Sequence, residues 1–206
     1  MSPPLPDHYV TTIRRLVRFS VVSIFVGLCL GVWSTDANKR LRYLEVTGAP
    51  RRLTAEDRAA EGSRVEMELP PGLMWEVGID LRLSHGHVIL IGGVLPLCLA
   101  AALAVVHMMG GATIGRGTLE AFYWLYLVGG LAAMGLIIYK GWFLMAYVGV
   151  EEAGGFDLAK IHGAMFGGSR ALKGAAYGLS HTILAAAVGI IAVALWRAVG
   201  RRRPAP

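Results

Sequence analysis

The stretch Leu83–Gly115, LSHGHVILIGGVLPLCLAAALAVVHMMGGATIG, runs for 33 residues without one charged side chain. A helix needs roughly 20 mostly apolar residues to cross the hydrocarbon core of a bilayer. Three further uncharged runs lie at Phe19–Thr35, Ala121–Tyr139 and Gly174–Trp196. Over the whole chain of 206 residues, 55% are hydrophobic and 17% charged, against about 25% charged in a soluble domain. The reading is an all-α membrane protein: one domain, embedded in a lipid bilayer, with four transmembrane helices at about 16–33, 87–107, 121–147 and 179–199. A secreted disulfide scaffold and a soluble globular enzyme are excluded. The formal net charge of +6 belongs to the membrane surface and implies no nucleic acid.

The basic residues predict the orientation, because short cytoplasmic segments carry an excess of Lys and Arg. Arg14, Arg15 and Arg18 precede the first span, Arg116 lies in the turn between the second and third, and Arg197, Arg201, Arg202 and Arg203 close the fourth. With four crossings these segments share one side, giving N-in, C-in in a multi-pass protein of a bacterial cytoplasmic (inner) membrane. The first run resembles a signal peptide in its basic flank. No small-x-small cleavage site follows it, and Gly31-Val32-Trp33-Ser34 reads as a membrane exit.

Two outer segments remain, 36–84 and 148–177. In the first, Arg64–Leu69 alternates polar and apolar, Pro70-Pro71-Gly72 turns, and Trp75, Val77, Ile79, Leu81 and Leu83 alternate again. That pattern predicts a small outer-side β-hairpin over about Arg64–Leu83. Thr54-Ala55-Glu56-Asp57 is suited to open a short helix before it. In the second, Phe156–Phe166 is amphipathic and reads as interfacial.

The histidines carry the functional signal. His85 and His87 open helix two, His181 opens helix four and His162 lies in the second outer loop, so four of six histidines face one side. His8 sits in a proline-rich tail and is expected to be solvated. His107 follows His87 by 20 residues, about 30 Å of helix, and belongs to the cytoplasmic end. Ionisable groups at membrane depth are costly and usually functional, and imidazole is the common ligand of haem iron and of copper. His85 and His87 project about 200° apart on a helix, so they serve two flanks rather than one site. Gly86 and Gly92-Gly93 leave room for a flat macrocycle, and Trp124, Tyr126, Tyr139, Trp142 and Phe143 can flank one. Lys140, near the outer interface, either snorkels to the headgroups or neutralises a haem propionate, a role open also to Arg170 and Lys173. Cys29 and Cys98 are isolated, with no C-x-x-C pair and no C-x-x-C-H for covalent haem.

The runs Ser84–Gly92, Phe122–Gly130 and Tyr177–Leu184 resemble an uncharacterised bacterial family of small four-helix membrane proteins. In that family H-x-H opens helix two and G-x-x-H opens helix four. The chain is also distantly similar to one four-helix arc of the catalytic subunit of haem-copper oxidases and nitric oxide reductases. In that subunit helix two of an arc carries histidine near the outer side. The likeness is one of architecture: the extra copper-ligating histidines and the tyrosine crosslink motif of that subunit are missing here.

The expectation is a b-type haem protein, with His85 and His87 as leading ligands and His181 next, engaged in electron transfer or diatomic-gas chemistry as a possible oxidoreductase with an unidentified redox partner. A closed homotrimer is expected, because His85 of one copy can then face His87 of its neighbour. A site within one chain, pairing either with His181, needs no oligomer. Two alternatives stand beside this reading. One is a copper or other metal site built from His85, His87, His162 and His181. The other is a non-catalytic accessory subunit in which interfacial histidines are incidental.

Overall fold

The computed structural model describes residues 4–47, 80, 83–148 and 158–200. The elements are all helical: α1 (Asp7–Thr47), α2 (Leu83–Met108), α3 (Arg116–Val148), α4 (Leu158–Ala164, continued by a 3-10 turn over Met165–Gly168) and α5 (Arg170–Gly200). Four of them, α1, α2, α3 and α5, are long and apolar enough to cross a membrane. The hairpin expected over Arg64–Leu83 and the short helix expected from Thr54 lie outside the described residues, except for Asp80 and Leu83, which are both helical.

Three spans run past the lengths that hydropathy suggests. α1 continues beyond Trp33 to Thr47 because Asp36–Glu45 holds no proline or glycine to stop it. α3 starts at Arg116, directly after Gly115. α5 starts at Arg170, nine residues before the expected Leu179. Its start is set by Ser169, whose Oγ accepts the Leu172 N–H at 3.2 Å, the hydrogen bond of an N-cap. The turn before it places Phe166, Gly167 and Gly168 at φ 55°, 65° and 82°, which glycine adopts freely and phenylalanine only when held.

α3 packs most extensively on α5, and α1 on α2. Small residues permit the approach. A Cβ on Gly129 would stand 2.6 Å from the backbone nitrogen of Leu184, and one on Gly92 would stand 2.6 Å from Ser23 Cβ. The densest core lies toward one end, where Tyr9, Leu16, Leu103, Leu119, Phe122 and Tyr126 are buried. That end also carries Arg14, Arg15, Arg116 and Arg197 and is called the basic end below; the opposite one is the histidine end. At the basic end Arg15 grips both oxygens of Glu120 at 2.9 and 2.8 Å and lies over the Tyr123 ring. His8 is not solvated: it is half-buried in the first turn of α1, where its Nε2–H donates to the Ile114 carbonyl at 3.1 Å. The helix begins at Asp7, early enough to bring it there.

α2 is irregular just inside its histidine end. Val88–Val94 is π-helical, with the Leu95 N–H reaching back to the Leu90 carbonyl. Continued in that register, residue 96 would donate to the Ile91 carbonyl, but residue 96 is proline and has no N–H. The Tyr126 hydroxyl donates to that carbonyl instead, and Ser20 Oγ donates to the Gly93 carbonyl at 2.7 Å. A π turn is therefore held by hydrogen bonds from α3 and α1. Tyr126→Phe is expected to lower stability by about 1 kcal/mol, the net value of such a bond, read as a lower melting temperature in detergent. An unchanged melting temperature would show that the hydroxyl does not support the turn.

Candidate functional site

The first turn of α2 puts its two histidines on opposite faces. His85 turns to α1, where its ring atoms would stand 3.7 and 3.8 Å from a Cβ on Gly31. Its Nδ1 is buried and has no hydrogen-bond partner among the described residues. His87 lies on the outward face, in line with the exposed Leu83, Leu90 and Val94. Its Nδ1 is 2.8 Å from the Leu83 carbonyl.

His181, on the exposed surface of α5, repeats this arrangement. Its Nδ1 is 2.7 Å from the Tyr177 carbonyl, with Ser180 Oγ at 3.3 Å. A carbonyl only accepts, so Nδ1 carries the proton in both rings. A neutral imidazole protonated at Nδ1 presents its lone pair on Nε2. Metal-ligating histidines are ordinarily oriented this way, one ring nitrogen held by a carbonyl and the other free to coordinate. Each of the two rings is thus prepared, on a helix, one turn after the carbonyl that fixes it.

The other expected site residues are differently placed. Lys140 pairs with Asp80, its Nζ lying 3.0 Å from Oδ2 and 3.2 Å from Oδ1. Asp80 is buried, 8% exposed, so the ammonium is held by a desolvated carboxylate. His162 is half-buried on α4, and its carbonyl accepts from Lys173 Nζ at 3.5 Å. Arg170 is exposed at the first position of α5. Among the described residues no three His, Cys, Asp or Glu side chains are grouped to hold a metal ion, so the four-histidine set is not assembled within one chain.

The aromatics divide in the same way. Trp124 and Trp142 point outward, 54% and 61% exposed, whereas Tyr126 is buried against the π turn. Tyr139 packs on Phe143 and Phe166, with centroids 5.8 and 5.0 Å apart, and Phe166 packs on Tyr177 at 6.2 Å. The Phe166 N–H donates to the Tyr139 hydroxyl at 3.4 Å, and the Tyr177 hydroxyl donates to the Leu136 carbonyl at 3.4 Å. This wall holds Phe166 at its positive φ and fixes the entry to α5, and with it the carbonyl that orients His181.

Sequence reasoning missed Asp80, Tyr177 and the π turn. Asp80 was assigned to the hairpin. The available signal was an acid three residues before an uncharged run, with Lys140 at the matching depth of α3. Comparison with protein-family models, curated proteins and solved structures returned no match.

Proposed function

We propose that this is a b-type haem-binding electron-transfer protein of the bacterial cytoplasmic membrane, oriented N-in, C-in, in which His87 and His181 would hold the haem. The observation that carries this reading is the pair of outward-facing imidazoles whose Nδ1–H groups are anchored at 2.8 and 2.7 Å on carbonyls. Both Nε2 atoms are left as ligands. His85 stands third, because its ring is committed to the α1 side. Haem supplies an iron that cycles between ferric and ferrous and so carries one electron. The chain's part is to orient two imidazoles, hold them at fixed depth and surround them with apolar side chains that exclude water. Exposed Arg170 is placed near the same end for a propionate; Lys140 is already occupied by Asp80.

The two ligands are supplied by different copies. The main contact between α2 and α5 falls in the Leu95–Met108 half of α2, away from both histidines. His87 and His181 also sit on exposed faces, as groups completed by a neighbour do. A cyclic head-to-tail homotrimer places His87 of one copy opposite His181 of the next and closes without an open edge.

Two imidazoles holding the haem iron would leave no ligand place for a gas, so electron transfer is favoured over gas binding. Carbon monoxide added to the dithionite-reduced protein is expected to leave the absorption bands unshifted, and native mass spectrometry in mild detergent is expected to show haem only on assemblies of several chains. A shifted band or a haem-loaded monomer would contradict the interchain bis-histidine site.

A further inference from the structure

At the basic end, remote from His85, His87 and His181, a cavity of about 520 Å³ opens between the α2–α3 turn and α5. Its walls change character along its length. Gly189, Val193 and Arg197 line it at four-residue spacing on one face of α5, so it extends about 12 Å along the helix axis. The end toward Gly189 is apolar: Ile190 and Val193 line it, and Gly189 leaves a trough where a side chain would stand. The end toward Arg197 is polar: Arg197 lines the same cavity as the hydroxyl-bearing Thr113 and Thr118. The Ala112 N–H donates to the Ala198 carbonyl at 2.9 Å, which pins the turn beside Arg197 and fixes the mouth of the cavity.

We infer that this cavity binds one anionic glycerophospholipid, its phosphate on Arg197 and an acyl chain along the Gly189–Val193 trough. Charge complementarity selects the headgroup. Arg197 has no ion-pair partner among the described residues, and the carboxylate of Glu120, two residues beyond Thr118 in the chain, is taken by Arg15. A planar guanidinium matches phosphate oxygens in pairs, and basic pockets between spanning helices are suited to anionic headgroups. The apolar trough selects a lipid over a soluble anion, which would leave it empty. The site is independent of the histidine reading.

The test offers the purified protein, in mild detergent, equal amounts of dioleoyl phosphatidylglycerol and dioleoyl phosphatidylcholine, and reads the retained lipid by native mass spectrometry. Phosphatidylglycerol is expected to be retained about five-fold better, the effect of one basic side chain at a membrane surface. Arg197→Gln is expected to erase that preference, and Gly189→Leu, which fills the trough, to lower retention of both lipids. Millimolar inorganic phosphate is expected to displace neither. Equal retention of the two lipids by the unaltered protein, unchanged preference in Arg197→Gln, or displacement by phosphate would each overturn the proposal. Arg197 is exposed, so its variant alone decides the matter if Gly189→Leu fails to accumulate.

Discussion

His87→Ala and His181→Ala are each expected to strip haem from the protein, lowering retention by more than about 100-fold, since disturbing even the partner that orients a ligand costs 10–100-fold. His85→Ala is expected to retain haem, because that ring packs toward Gly31 and its Nδ1 is buried away from the outward face. The measure is haem per chain by extraction and absorbance after purification. The pattern across the three variants is the informative result. Full retention in a His87→Ala, His181→Ala double variant would remove both ligands from the account. Loss in His85→Ala with retention in His181→Ala would return the assignment to the H-x-H pair.

A second large effect is expected at the Asp80–Lys140 pair. Lys140→Ala leaves the buried Asp80 carboxylate without its cation. Removing one partner of a buried ion pair costs about 3–5 kcal/mol, because the remaining charge is desolvated and uncompensated. The double variant Asp80→Asn, Lys140→Met removes both charges and is expected to recover most of that loss. Denaturant or thermal unfolding in detergent measures the cycle. If Lys140→Ala proves no less stable than the double variant, the pair is a solvated surface contact, and Lys140 is free for a propionate after all.

The four spans were legible because a membrane helix must satisfy its backbone internally and cover itself with apolar side chains, and Leu83–Gly115 announces both. Helix ends were less legible. They depend on single groups such as the Ser169 hydroxyl under Leu172, which hydropathy does not weigh. The π turn was invisible for a similar reason. Pro96 lacks the N–H that would pair a carbonyl of the preceding turn, but only the packing of α3 shows that Tyr126 reaches it. The candidate histidines were named from depth and type alone. Their ranking required the fold, since 200° of separation says that His85 and His87 face different ways but not which of them faces outward. His181 rose because α5 begins nine residues early, which makes the Tyr177 carbonyl a helical group four residues before it.

The most direct test of the central claim is the absorption spectrum of the purified protein, oxidised and dithionite-reduced, after haemin titration. The account predicts saturable binding at one haem per chain, with a sharp band on reduction characteristic of two imidazole ligands. Haemin that fails to saturate, or binds without that reduced spectrum, would contradict it.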